Sequence, residues 1–103
     1  MNIPPDALAS AIATSRAPVV LDVRSRVEYT RGHVPGAIHV PFWLVPWRLA
    51  RIPAAPPDPL VVYCGHGPRA WFAGAMLRRH GFTHVRYLAG HMARWIRQGW
   101  PRE

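Results

Sequence analysis

From Leu60 to Ala70 the chain reads LVVYCGHGPRA, an uncharged apolar run followed by a glycine-rich loop. Residues 60–63 are strong β-formers, which predicts a buried parallel strand with Cys64 at its carboxyl end. The clearest helix of the chain is predicted next. Pro68 suits its first turn, where proline is tolerated, and Gly81 can end it. A buried strand, a tight loop and a helix in this order indicate an α/β fold.

The rest of the chain repeats this alternation. Further strands are predicted at Val19–Val23, Ala37–Val40 and His84–Leu88, and further helices at Pro4–Ala13, after Ser25 and after Gly90. Ser25 and Glu28 match a capping box, with Gly32 as the left-handed stop of that short helix. Pro46 makes residues 42–49 irregular or briefly helical. In the helix after the cysteine loop, the side chains predicted to face the core are Phe72, Ala73, Met76 and Leu77, and the last helix carries Met92, Trp95 and Ile96.

Composition limits the function classes. A chain of 103 residues predicts a single domain, residues 1–103, and no uncharged stretch approaches the ~20 residues of a membrane span. The N-terminus shows no basic patch leading into an apolar run, so a cytoplasmic location is expected. The net charge is +8, and all of the basic residues are arginine. Such a surface attracts small oxyanions, acidic proteins, nucleic acid or a membrane surface, and its sign does not choose among them.

The single cysteine, Cys64, excludes a disulfide within the chain and any zinc site with several thiolates. The six histidines show no metal-ligand spacing, so no metal is expected.

The cysteine loop, residues 64–70, has the composition of an anion cradle. Gly65 and Gly67 allow backbone N–H groups to turn inward, and the start of the following helix is electropositive. Arg69 adds a guanidinium cation with a planar set of N–H donors. A thiol in such a place ionises readily, which makes Cys64 a candidate nucleophile. The alternative is a buried, inert cysteine.

Several segments together resemble the rhodanese domain. They are Leu21-Asp22-Val23-Arg24, Glu28-Tyr29, Gly32-His33-Val34-Pro35-Gly36-Ala37 and Val62-Tyr63-Cys64 with Gly67 and Arg69. The resemblance runs from about residue 3 to residue 101. It implies a three-layer rhodanese-like α/β domain, with a five-stranded, mostly parallel sheet flanked by helices, in a single-domain bacterial protein.

The resemblance also implies a sulfurtransferase cycle. Cys64 would take sulfane sulfur from thiosulfate or a protein persulfide and pass it to cyanide or a thiol, with no organic cofactor. The loop residues that would bind the substrate are Gly65, His66, Gly67, Arg69 and Ala70. His66 could instead be a solvent-facing loop histidine, and Arg69 could form a salt bridge rather than contact substrate.

Three residues of the signature segments are predicted to support the site structurally. The Asp22 carboxylate could orient His33 or bind Arg24, and either contact would hold loops together.

The sequence departs from the family pattern in places. Arginine follows the cysteine after four residues, whereas rhodanese-like phosphatases resemble C-x5-R, so sulfur transfer fits better than phosphatase or arsenate reductase activity. Pro68 removes one N–H donor from the loop. The family's last segment resembles G-G-x-x-x-W, but His91 follows Gly90 here. That change is expected to alter substrate preference more than fold.

Non-enzymatic functions remain open at this stage. The domain could be a binding module that uses its basic face to dock a protein or RNA, with Trp43 and Trp47 as part of a docking patch. A redox-sensing thiol is a further alternative, although the chain offers no resolving cysteine.

Overall fold

All strands of the sheet run parallel. The computed structural model describes residues 2–103, and its five strands are β1 (Asn2–Ile3), β2 (Val19–Asp22), β3 (Ile38–His39), β4 (Leu60–Tyr63) and β5 (Val85–Leu88). Their order across the sheet is β1-β5-β4-β2-β3. The predicted α/β fold with a five-stranded parallel sheet is therefore confirmed. The long strands β2 and β4 are neighbours at its centre, with Asp22 in register with Tyr63.

Helices cover both faces of the sheet. They are α1 (Pro5–Ile12), α2 (Arg26–Arg31), α3 (Pro68–Arg79) and α4 (His91–Arg97), with short 3-10 helices at Phe42–Trp47 and Leu49–Arg51. Alternate residues of the central strands point to opposite faces. Val62 packs on the face that contains Ala73 and Leu77 of α3, and Val61 packs on the face that contains Leu8 of α1 and Trp95 of α4. Two apolar layers thus enclose the sheet.

The capping box at the start of α2 is present. The Ser25 hydroxyl accepts the Glu28 N–H at 3.3 Å, and the Glu28 carboxylate accepts the Ser25 N–H at 3.1 Å. The expectation for Gly32 is wrong in its conformation. Gly32 ends the helix at φ 156°, ψ 133°, which is a nearly extended backbone rather than the left-handed turn. This extended exit carries the chain directly towards β3.

One side chain predicted to face the core lies outside it. Phe72 is 51% exposed. On α3 the buried face is formed by Ala70, Ala73 and Leu77, spaced three and four residues apart, and Phe72 is rotated away from it. Phe72 packs edge-on against Phe42 instead, with ring centroids 5.8 Å apart. Between residues 2 and 103, no helix combines the length and apolarity needed to span a membrane.

Candidate active site

Cys64 follows β4 directly and lies at the carboxyl edge of the sheet, where ligands bind in open parallel sheets. The Gly67 N–H donates to the Cys64 sulfur at 3.0 Å. Gly67 has φ 131°, a conformation that favours glycine, and a Cβ there would lie 3.4 Å from the His91 ring. The loop therefore curls around the sulfur and presents backbone donors to it, as an anion cradle does.

The surroundings of the sulfur favour the thiolate. Burial alone would raise the pKa of Cys64, and its side chain has no exposed surface. Hydrogen bonds from the His91 side chain and from the backbone N–H groups of Ala70 and Gly67 outweigh burial and lower this pKa to about 7. A substantial fraction of Cys64 is thus a thiolate near neutral pH.

Arg69 joins the cysteine loop to α2. Its guanidinium donates to both carboxylate oxygens of Glu28, at 2.6 and 3.1 Å. The Arg69 hydrogen bonds lower the pKa of Glu28 to about 2, and the same pairing raises the pKa of Arg69. The guanidinium also lies over Gly65, where a Cβ would be 3.1 Å from its nitrogen. The salt bridge considered for Arg69 is present, and its partner is 41 residues away in sequence.

The other loop residues occupy different environments. Ala70 is buried within the first turn of α3, whereas His66 is exposed. The Gly65 carbonyl accepts the Ala93 N–H at 3.1 Å, and the Cys64 carbonyl accepts the Met92 N–H at 3.0 Å. The first turn of α4 is therefore hydrogen-bonded to the backbone of the cysteine loop.

Asp22 and Arg24 form a buried network at the end of β2. The Arg24 side chain donates to Asp22 through Nε and Nη2, the latter at 2.7 Å, and Nη2 also donates to the Gly32 carbonyl at 2.7 Å. The Tyr63 hydroxyl donates to Asp22 at 2.7 Å and accepts the Val34 N–H at 3.1 Å. The carboxylate thus binds Arg24 and holds the segment that follows α2.

His33 is not joined to Asp22. Its ring stacks on Tyr29 with centroids 3.8 Å apart, and its Nδ1–H donates to the Tyr29 carbonyl at 2.9 Å. Its Nε2 lies 3.8 Å from the Glu103 carboxylate. His33 therefore fixes the end of α2 and the C-terminus, away from the cysteine loop.

Two residues near the site were not identified as site residues from the sequence. Tyr63 is recognisable only once β2 and β4 are paired in register, since that pairing sets it beside Asp22. The sequence marks His91 only as a departure from the family pattern. Its Nδ1 accepts the Cys64 N–H at 3.2 Å, and its backbone has φ 54°.

An open cavity of about 510 Å³ adjoins the cysteine loop. Its lining residues are Asn2, Gly67, Pro68, Trp71, Tyr87 and His91. Trp71 is 74% exposed and forms one wall. Within residues 2–103, no three histidine, cysteine or acidic side chains gather as metal ligands would.

Comparison with known proteins agrees with this geometry. The family model of the rhodanese-like domain matches residues 4–98. A sulfurtransferase of Allochromatium vinosum is 31% identical over 100 residues, covering 97% of this chain and 92% of its relative. The thiosulfate sulfurtransferase GlpE of Pseudomonas fluorescens is 37% identical over 104 residues, covering 99% and 89%. The solved structure of the human single-domain sulfurtransferase TSTD1 superposes with a TM-score of 0.82 at 29% identity, covering 94% of this chain and 96% of that one. On the family model and these relatives, the chain belongs to the rhodanese family.

Proposed function

We propose that the chain is a sulfurtransferase that carries sulfane sulfur as a persulfide on Cys64. The observation that carries the proposal is the Gly67 N–H aimed at the Cys64 sulfur, at 3.0 Å, in a loop that lowers the pKa of the thiol to about 7. A persulfide is also an anion near neutral pH, so the same donors stabilise the loaded form. The names of the relatives point to thiosulfate as a donor.

In the first half-reaction the Cys64 thiolate attacks the outer, sulfane sulfur of thiosulfate. A new S–S bond forms to Cys64, the S–S bond within thiosulfate breaks, and sulfite leaves with that electron pair. The total charge is unchanged, and no proton moves. Arg69 stands beside the loop as the side-chain cation that can attract the sulfonate oxygens, because a guanidinium presents its donors as a planar fork.

In the second half-reaction an acceptor attacks the terminal sulfur. Cyanide takes it as thiocyanate, and a thiolate takes it as a new persulfide; in both cases Cys64 leaves as thiolate. The transferable sulfur is about 2.05 Å beyond the buried Cys64 sulfur, one S–S bond length away. Extension towards the cavity lined by Gly67 and His91 would bring the sulfur within reach of an acceptor.

The remaining loop residues have assigned parts in this proposal. Gly65 and Gly67 allow the loop to curl, Ala70 supplies a backbone donor, and His66 on the exposed side can contact the donor or the departing sulfite. No organic cofactor is needed because the cysteine is itself the carrier. The +8 charge fits attraction of thiosulfate or of an acidic protein that donates or accepts sulfur. A thiol that must stay reduced between cycles fits a cytoplasmic location.

The experiment that tests the proposal is intact-protein mass spectrometry after incubation with thiosulfate. The wild type should gain the mass of one sulfur atom, lose it on addition of cyanide, and release thiocyanate in equal amount. Cys64→Ser should gain nothing, while circular dichroism shows that it is folded. An unmodified wild type with thiosulfate and with other sulfane donors would overturn the proposal and favour a docking module.

A further inference from the structure

His91 has an unusual backbone. Among residues 2–103 it is the one non-glycine residue with a positive φ, 54°. Side chains disfavour this region because Cβ then crowds the following carbonyl group. Residues held in such a disfavoured conformation are often found at functional sites, where the side chain has a specific role.

The hydrogen bond of the His91 ring fixes its tautomer. Nδ1 accepts the Cys64 N–H at 3.2 Å, so Nδ1 carries no proton, and the neutral ring has its N–H at Nε2. Nε2 is the ring atom nearest to the place that a Cβ at Gly67 would occupy, at 3.4 Å, and the Gly67 N–H contacts the Cys64 sulfur. His91 also lines the 510 Å³ cavity, so its ring adjoins both the cysteine loop and the cavity.

We propose that His91 is a positioning residue of the sulfur site: its Nδ1 holds the Cys64 backbone, and its Nε2–H is kept beside the sulfur as a side-chain donor. This inference rests on the proposed function. The lowering of the Cys64 pKa by the His91 hydrogen bond agrees with it. Because no proton moves when the thiolate attacks sulfane sulfur, the donor acts by stabilising anionic sulfur, first as thiolate and then as persulfide.

The test compares His91→Gly and His91→Asn with the wild type, and uses the exposed His84→Asn as control. Glycine tolerates the positive φ and removes the ring. Asparagine also tolerates it and can accept the Cys64 N–H through its side-chain oxygen. The readouts are the pH midpoint of Cys64 alkylation, kcat/KM for thiosulfate and the melting temperature. Arg69, Glu28 and His66, the other titratable groups around the loop, are unchanged in every variant.

His91→Gly should shift the alkylation midpoint upward from about 7 and reduce kcat/KM by roughly tenfold or more, as loss of supporting partners does elsewhere. His91→Asn should show smaller changes in the alkylation midpoint and in kcat/KM. His84→Asn should change neither quantity. A His91→Gly protein with the midpoint and kcat/KM of the wild type overturns the inference. If the glycine variant does not fold, the same comparison is made with His91→Asn, and wild-type values there overturn it.

The two hypotheses can fail separately. If the wild type forms no persulfide, the sulfurtransferase proposal fails, yet the alkylation midpoint still shows whether His91 controls the thiolate. If the wild type forms a persulfide and the alkylation midpoint is the same with and without the His91 side chain, only the proposed role of His91 is wrong.

A second, independent feature is a cleft of about 330 Å³ with basic walls. It is lined by Arg26, His39, Pro41, Leu44, Arg48 and Arg51, without an acidic residue. The ion pairs found in residues 2–103 join Arg24 to Asp22, His33 to Glu103 and Arg69 to Glu28, so the three arginines of the cleft take part in none of them. Cations that line one cleft without a counter-ion repel one another, and an oxyanion bound in the cleft relieves that repulsion.

The cleft is separate from the cysteine loop. His39 ends β3, two strands from β4, which corresponds to about 10 Å along the same sheet edge. We infer that this cleft binds a small multivalent oxyanion of the phosphate class through Arg26, Arg48 and Arg51.

Calorimetric titration with pyrophosphate at fixed ionic strength tests the inference. Arg48→Gln/Arg51→Gln should bind about tenfold more weakly or worse, because charge-assisted hydrogen bonds are lost. Arg16→Gln/Arg97→Gln, which has the same net charge, and Cys64→Ser should bind like the wild type. Equal losses in both arginine pairs, no saturable binding, or binding of a short RNA but not of pyrophosphate would each overturn the inference.

Discussion

Two neighbouring strands end in opposite ways. β2 ends at Asp22, whose carboxylate accepts hydrogen bonds from the Arg24 backbone, the Arg24 side chain and the Tyr63 hydroxyl, all within 3.1 Å. β4 is followed by Cys64, whose sulfur accepts the Gly67 N–H and faces no side-chain counter-ion in bidentate contact. Asp22 and Tyr63 are in register, so the two ends lie next to each other.

The difference shows which of the two anions has a structural role and which can react. A buried carboxylate with every lone pair used is stable and inert, since nothing further can bind to it. A sulfur that accepts backbone hydrogen bonds and is not part of a bidentate ion pair can accept a second sulfur and keep its negative charge. In this molecule the carboxylate at the end of β2, held in a bidentate ion pair, fixes the loops, and the thiolate after β4, which accepts a backbone hydrogen bond, is available to react.

The largest expected effect comes from breaking the closed end. Asp22→Asn leaves the Arg24 guanidinium buried without its counter-ion, and the free energy of unfolding should fall by about 3–5 kcal/mol. Urea denaturation measures this. Asp6→Asn, an exposed carboxylate in the first turn of α1, is the control and should change stability by less than about 1 kcal/mol. A loss at Asp22 no larger than at Asp6 would contradict a closed, structural network.

A smaller effect is expected from deforming the open end. Gly67→Ala forces a side chain into φ 131° and against the His91 ring, whereas Gly81→Ala meets a similar φ of 98° with open space around it. Both should lose about 1–3 kcal/mol of stability. Only Gly67→Ala should also reduce kcat/KM for thiosulfate, because the N–H that it moves contacts the sulfur. Equal activities in the two variants would show that the direction of the Gly67 N–H does not affect sulfur transfer.

The sequence predicted the fold because each element carries local signals. The β-branched run at Val19–Val23 and the Ser25 to Glu28 capping box needed no tertiary knowledge, and both were confirmed. The edge strand β1 has only two residues, too few for a periodicity, and forms because it pairs with β5. Phe72 was misplaced because an aromatic residue one position off the buried face still reads as apolar.

The site was less predictable because its contacts are long-range. Glu28 and Arg69 are 41 residues apart, as are Asp22 and Tyr63. The sheet register pairs Asp22 with Tyr63, and the first turns of α2 and α3 bring Glu28 and Arg69 together. The position of Cys64 followed from its strand and loop. The contact of His91 with the Cys64 backbone depends on how α4 meets the cysteine loop, which no local pattern encodes.

The charge of the open end can be changed in both directions. Arg69→Gln removes the cation beside the cysteine loop and should raise KM for thiosulfate several-fold, while Glu28→Gln leaves Arg69 unneutralised and should lower KM. Glutamine at position 28 can still take part in the capping box. Steady-state kinetics at low and high salt measures both, and the differences should shrink as salt rises. KM moving in the same direction in both variants would exclude an electrostatic role for the pair.

The smallest effect is the pH dependence of this ion pair. In the folded protein Arg69 lowers the pKa of Glu28 to about 2, below the ordinary value of about 4.5, so folding favours the ionised carboxylate. The stabilisation is therefore fully present above about pH 4.5 and is lost as pH falls through about 2. Because both side chains are about one-third exposed, solvent screens the pair, and its contribution should stay below about 1 kcal/mol. The unfolding free energy of the wild type minus that of Glu28→Gln should fall towards zero between these two pH values. A difference that instead grows on acidification would mean that the Glu28–Arg69 ion pair destabilises the folded protein. Its one remaining role would then be to hold Arg69 beside the cysteine loop.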